Sequence, residues 1–207
     1  MSSLYLKGWD KMGTFFIGVD LGQAADYTAI VIVERINKEY HLRHIERPPL
    51  GTPYPAIVNR LKELAGSPQL AGMSKTVVID VTGVGAPVWD MMRQARIPAT
   101  LKGILITGGN TVTRDGAIYH IPKRDIVTCL QLAFQNGELR IAQGLPLSDI
   151  LVQELINFKV KINLHGHDQY EAWRESIHDD VVLAGGMAVW MASQSNWGIE
   201  NLRYLNS

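Results

Sequence analysis

The stretch Phe15-Phe16-Ile17-Gly18-Val19-Asp20-Leu21-Gly22 decides how the rest of the chain is read. A run of apolar and β-favouring residues reaches a carboxylate and then a glycine, the pattern of a buried strand that pushes an acid out of its carboxyl edge. Asp20 therefore stands where chemistry is often done. Beyond the short polar segment Gln23-Ala24-Ala25-Asp26-Tyr27, the run from Thr28 to Glu34 predicts a second strand that pairs back on the first as a hairpin. Tyr40 to Ile45 alternates and predicts a third antiparallel strand, with its basic residues on one face.

Pro48, Pro49, Pro53 and Pro55 then make a stiff connection. Ala56, Ile57, Val58, Leu61, Leu64 and Ala65 follow at helical spacing, and Gly66 stops the helix. Thr76-Val77-Val78-Ile79-Asp80 repeats the opening pattern, and coming after a helix it is expected to lie parallel to the first strand, with Asp80 beside Asp20. Thr82 to Ala86 forms a turn, and Pro87 takes the first position of a helix through Ala95 whose amino end faces the same crevice.

Leu101 to Thr107 predicts a fifth strand, and a loop opening at Gly108-Gly109-Asn110 leads to Ala117-Ile118-Tyr119-His120-Ile121. Pro122 starts a helix with Ile126, Val127, Leu130, Ala133 and Phe134 as its apolar face, closed by Asn136-Gly137. A short segment, Leu139 to Ala142, and a helix from Leu147 to Phe158 come next. Lys159 to Tyr170 alternates weakly, with a hairpin as its candidate form. His178-Asp179-Asp180 then opens a helix, Val181 to Ala192, whose small residues let it press closely on the sheet.

The order β-β-β-α-β-α-β-α, with acids at the ends of the first and fourth strands and at the start of the last helix, resembles the ribonuclease H-like fold. That fold is an α/β mixed sheet, three antiparallel strands followed by parallel ones, flanked by helices. The 207 residues suit one domain, read as 15–195, with an arm at 1–14 and a tail at 196–207. Leu4, Tyr5 and Trp9 leave open whether the arm docks or hangs loose.

With 46% hydrophobic and 19% charged residues the chain is neither disordered nor fibrous. Twenty basic residues balance twenty acidic ones, so attraction to nucleic acid has to come from a local patch, for which Arg114, Lys123, Arg124, Lys159 and Lys161 are the candidates. A lone cysteine, Cys129, excludes an internal disulfide and fits a reducing compartment; it is read as a small buried hydrophobe. The nearly uncharged run from Val181 to Trp197 is too short and broken to span a membrane, and Lys7, Asp10 and Lys11 stand where a signal peptide needs apolar residues. A cytoplasmic protein is expected.

Carboxylates converging from separate elements can hold two divalent ions ~4 Å apart that clamp a scissile phosphate. Asp20, Asp80, Asp179 and Asp180 are the candidates, and hard oxygen ligands select Mg²⁺ or Mn²⁺. Each acid alone also fits a turn or a helix amino end; the ordered set is the signal. Asp26 and Asp90 read as a hairpin residue and an exposed helix residue. His165, His167 and His178 lack the second cluster a zinc site needs, and Ser148 and Ser176 have no nucleophile elbow.

Three motifs carry a closer resemblance: Gly18-Val19-Asp20-Leu21-Gly22 with Asp26-Tyr27-Thr28-Ala29; Asp80-Val81-Thr82-Gly83-Val84-Gly85; and Glu171-Ala172-Trp173-Arg174-Glu175 followed by His178-Asp179-Asp180-Val181-Val182-Leu183-Ala184. Together they resemble the nuclease domain of phage terminase large subunits over roughly residues 15–195. The resemblance implies metal-dependent cutting of viral DNA during packaging, with Asp20, Asp80 and the Asp179-Asp180 pair as metal ligands; which of the pair binds directly stays open. It also implies double-stranded DNA as substrate and a packaging ATPase, a small terminase subunit or a portal as partners. No Gly-x-x-x-x-Gly-Lys-Ser/Thr stretch is present, so no motor activity is expected of these residues. The competing classes are a junction-resolving nuclease of the same fold, which needs a symmetric dimer, a nucleotide-binding module of the actin and sugar-kinase group, and an inactive interaction module.

Overall fold

In the computed structural model the opening stretch forms β1 (Thr14–Asp20), buried at every position between its ends. It pairs antiparallel with β2 (Ala29–Ile36) on one side and parallel with β4 (Ser74–Asp80) on the other. The structure describes residues 13–22, 26–83, 85–164 and 179–204, with backbone alone for 159–164 and 195–204. β3 (Glu39–Glu46) continues the antiparallel half, while β5 (Thr100–Thr107) and β7 (Ile118–Pro122) continue the parallel half. Two short strands close the edges, β6 (Thr113–Asp115) and β8 (Leu139–Ile141), giving the order β6-β7-β5-β4-β1-β2-β3-β8.

The helices are α1 (Tyr54–Ala65), α2 (Gly85–Ala95), α3 (Lys123–Gln135), α4 (Ser148–Leu164) and α5 (Asp180–Tyr204). Burial of both sheet faces explains the apolar runs Phe15 to Val19 and Ala29 to Val33 in β1 and β2. Phe16, Val31, Val33, Val78, Ile104 and Ile121 pack beneath α3, α4 and α5. Phe15, Ile17, Ile30, Ile32, Val77 and Ile79 pack on the opposite face beneath α1 and α2. The expected mixed sheet, antiparallel then parallel, is the one observed.

Several boundaries differ from the sequence reading. α4 runs on to Leu164, so Lys159 to Leu164 are helical and not one arm of a hairpin; the remainder of that segment lies outside the described residues. α5 continues from the expected Ala192 to Tyr204. Phe134 is 46% exposed, because α3 turns Ile126, Val127, Leu130 and Ala133 inward and leaves Phe134 at the rim. Pro87 is the third residue of α2 and not the first; it remains in the first turn, where a missing N–H costs nothing.

On β3 a one-residue bulge lets Ile32 face His44 while the next residue, Val33, faces Leu42. The extra residue, Arg43, joins His41 and His44 on the face expected for the basic side chains and binds Glu34.

Among the described glycines, Gly18 makes the closest approach. A Cβ there would lie 1.9 Å from the Ala184 carbonyl oxygen and 3.1 Å from the Ala188 nitrogen, so the α5 backbone rests directly on β1. Gly186 does the same against α3, where a Cβ would meet Ile126. Gly18→Ala is expected to push α5 off the sheet and cost about 2 kcal/mol or more, as overpacking does in a filled core. Urea unfolding checks this: an unchanged midpoint would mean that α5 has room the packing does not show.

Candidate functional site

β1 and β4 run parallel with Val19 opposite Ile79, so Asp20 and Asp80 leave the sheet side by side at its carboxyl edge. Gly18, two residues before Asp20, faces α5, and the alternation of a strand therefore points Asp20 to that same side. The close seat of α5 on Gly18 brings its amino end, with Asp179 and Asp180, over the two strand ends. Asp20 senses the other three acids: burial first, then the charges of Asp80, Asp180 and Asp179, push its carboxyl well above the usual range, with Lys123 opposing. The sequence-predicted acids thus converge.

Asp80 is held by its own turn. The Thr82 backbone N–H donates to its carboxylate at 2.7 Å, and the Thr82 hydroxyl accepts from the Ile106 N–H at 2.9 Å. Burial still raises the Asp80 carboxyl, against the hydrogen bonds from Thr82. Gly85 opens α2 against the Asp80 carbonyl oxygen, which a Cβ would approach to 2.1 Å; this glycine permits the tight return.

Cations hold the α5 pair. Lys123, the first residue of α3, places its Nζ 2.6 Å from Asp179. Arg47, on the connection after β3, donates to Asp180 at 3.1 Å and also to Glu154, while its guanidinium lies 5.1 Å from the centre of the Tyr27 ring. Glu154 accepts the Val182 N–H at 2.9 Å, satisfying one of the free donors in the first turn of α5. Burial raises the Glu154 carboxyl to about 7, in spite of Val182 and Arg47. Among the described residues no three acidic, histidine or cysteine side chains are gathered about one point as a closed ligand set; Asp179 is turned to Lys123 and Asp180 to Arg47.

Arg47 and Glu154 were not singled out from sequence. A signal exists for Glu154: Leu151, Glu154, Leu155 and Phe158 share one helical face, and all four are buried, so an acid interrupts an apolar stripe. Arg47 gives no comparable sign. Lys123, expected to meet DNA phosphates, instead faces Asp179, and Arg124 contacts Asp125. The side chains of Lys159 and Lys161 lie outside the described residues. Asp90 is exposed, as expected, and lies 3.9 Å from Arg93; Asp26 is exposed as well. Cys129 is only half-buried, and burial raises its thiol. His165, His167, His178, Ser176 and the motif from Glu171 to Glu175 lie outside the described residues.

An eight-stranded mixed sheet between two helical layers, with acids at the ends of its two central parallel strands and at the start of a crossing helix, is the fold of solved terminase nuclease domains. The chain superposes on the large terminase nuclease of thermophilic phage G20c with bound magnesium with a TM-score of 0.56 at 20% identity, covering 86% of this chain and 80% of that one. For the manganese-soaked human cytomegalovirus terminase nuclease domain the values are 0.54, 19%, 90% and 86%. For the P22 large terminase nuclease domain they are 0.57, 13%, 92% and 87%. No family model matches the sequence, and no curated protein does. No helix among the described residues is long and apolar enough to cross a membrane.

The connection that carries Arg47 begins at Glu46, which accepts three hydrogen bonds from Arg60 of α1 and lies 3.0 Å from His44. Burial would raise the Glu46 carboxyl, but the bonds from His44 and Arg60 outweigh it and hold the pKa at about 2. A carboxyl depressed on folding stabilises fully above its unfolded pKa and loses that contribution as pH falls through the folded one. The protein is therefore expected to lose on the order of 1–2 kcal/mol from this pair between roughly pH 4.5 and 2, after allowance for solvent screening. Glu46→Gln should be less stable at pH 6 and should lose less over that interval; parallel urea-midpoint profiles for the two proteins would remove Glu46 from the account.

Proposed function

We propose that this chain is a divalent-metal-dependent endodeoxyribonuclease that cuts concatemeric viral DNA during genome packaging. Asp20, Asp80, Asp179 and Asp180 are the residues that would hold two Mg²⁺ or Mn²⁺ ions. The observation that carries the reading is the convergence of these acids from β1, β4 and α5 in a fold shared with terminase nuclease domains, one solved with bound magnesium and another soaked in manganese. Burial raises the Asp20 and Asp80 carboxyls, and neighbouring acids raise Asp20 further, so bound divalent cations would favour the ionised forms that the site otherwise disfavours; the donors are all hard oxygens.

Two ions held there would supply a nucleophilic water and stabilise the leaving oxygen of the phosphodiester. The chain contributes position. The Thr82 amide fixes Asp80 at the strand end, and β1 presents Asp20 beside it from the rigid centre of the sheet. Lys123 and Arg47 compensate Asp179 and Asp180, which limits repulsion in the metal-free protein. Whether Asp179 or Asp180 is the direct ligand is decided by substituting each alone. Double-stranded DNA is the proposed substrate, bound without strong sequence preference and with strong salt dependence. The proposed setting is the host cytoplasm, with a packaging ATPase, small terminase subunit or portal as partner.

Incubation of supercoiled plasmid with Mg²⁺ or Mn²⁺ is expected to give nicked and linear products, and EDTA should abolish them. Asp20→Asn and Asp80→Asn should each lower the rate more than about a hundredfold while the fold persists, because each removes ligand charge and no core volume. Cleavage within a few-fold of wild type would remove that residue from the set. Selective resolution of four-way junctions would favour the junction-resolving alternative.

A second expectation concerns the metal itself. Mn²⁺ at a hundredfold excess over its Kd should stabilise the folded protein by roughly 2.7 kcal/mol through linkage. Asp20→Asn should blunt the rise in melting temperature, and without metal it should melt no lower than wild type, since one crowded charge is gone. An equal Mn²⁺ shift in the variant would sink the shared site, and a shift produced only by ATP with magnesium would point to a nucleotide-binding module.

A further inference from the structure

The strand register places a second feature in line with the acids. Asp80 lies opposite Ile104 on β5, Ile104 opposite Tyr119 on β7, and Tyr119 opposite Arg114 on the edge strand β6. Residues directly opposite one another in a sheet share a face, so the row Asp80, Ile104, Tyr119, Arg114 runs straight from the acid recess to the sheet edge. Three strand spacings make that row ~14 Å long.

The far end of the row is basic. The Arg114 guanidinium lies 4.9 Å from the centre of the Tyr119 ring, and the Lys102 Nζ lies 5.9 Å from the same centre. The ring is braced from behind by Trp190 of α5, edge-on at 5.4 Å. Among the described residues neither Lys102 nor Arg114 has an acidic partner; Arg114 bonds only the Gly116 carbonyl. Arg43, Arg47, Arg60, Lys123 and Arg140, by contrast, each sit against a carboxylate. Burial and the charge of Arg114 lower the Lys102 pKa, as expected of two like charges brought together with no counterion between them.

Two cations without acidic partners, mounted on one braced aromatic ring at the edge of the face that carries the acids, are complementary to a polyanion. We infer that Lys102 and Arg114, carried on Tyr119, form a phosphate-binding subsite for the nucleic-acid strand, about four nucleotides from the acid centre at ~3.4 Å of duplex axis per phosphate. The proposal rests on the nuclease reading and adds to it where the strand runs: along the β4-β5-β7-β6 row and over the short edge strand. It also gives the exposed β6 strand a task beyond closing the sheet edge.

The test is Lys102→Gln/Arg114→Gln, compared with wild type by fluorescence anisotropy on a 30-base-pair duplex in EDTA across a salt series. The double variant is expected to bind at least about fivefold more weakly at low salt, and its slope of log affinity against log salt should be shallower by about 1.8, at ~0.9 for each phosphate no longer neutralised. The charge-preserving Lys102→Arg/Arg114→Lys protein should keep the wild-type slope, which separates charge from packing. The Mn²⁺ shift of the melting temperature should be unchanged in both, since neither residue touches the acids. A wild-type slope in the double Gln variant overturns the subsite while leaving the nuclease standing. Failure of wild type itself to bind duplex and to cut plasmid overturns the nuclease reading and the subsite with it.

Discussion

The arrangement depends on how closely one helix lies on one strand. Gly18 has no side chain, and the α5 backbone occupies the space where one would be. Since the two are in contact, the start of α5 cannot sit far from the end of β1, and Asp179 and Asp180 are carried to Asp20 and Asp80 as a matter of geometry. Small residues on α5, among them Ala184, Gly185, Gly186 and Ala188, serve the same approach, and Gly186 repeats it against α3. The chain gains a dense core, and the core's geometry sets the spacing of the acids.

That gathering costs electrostatic free energy. Asp20 feels the charges of the other three acids, and burial raises Asp20 and Asp80. The fold offsets part of this with Lys123 and Arg47, which arrive from α3 and from the connection after β3, elements far from α5 in sequence. Arg47 also serves Glu154, and Glu154 in turn caps the first turn of α5. Breaking a buried ion pair from one side leaves an uncompensated charge, so this small network constrains where α5 begins as well as how much charge the recess retains.

The rest of the basic complement divides by the same logic. Among the described residues, several arginines tie strands and helices together, as Arg60 does with Glu46 and Arg140 with Glu39. A chain of zero net charge has no field to attract a polyanion from a distance, and only cations left unneutralised locally can do so. Lys102 and Arg114 are such a pair, and Tyr119 and Trp190 give them a rigid base.

What the sequence determined by itself is the central sheet and its acids. Continuous apolar runs ending in Asp20 and Asp80 specify strands buried on both faces, and the hairpin strands and helix that separate them return the second parallel to the first, because these are local patterns with local causes. Short pieces with no such pattern were not legible: Thr113 to Asp115 is wholly exposed, and it is a strand only because β7 offers it an edge. The alternation seen from Lys159 onward suggested a hairpin, yet Lys159 to Leu164 extend α4, tertiary context outweighing a weak local period. The partners of the acids belong wholly to the tertiary structure. Lys123 lies 56 positions before Asp179, and Arg47 lies 133 positions before Asp180. No spacing rule links residues that meet only because α3, α5 and the connection after β3 are packed around one end of the same sheet.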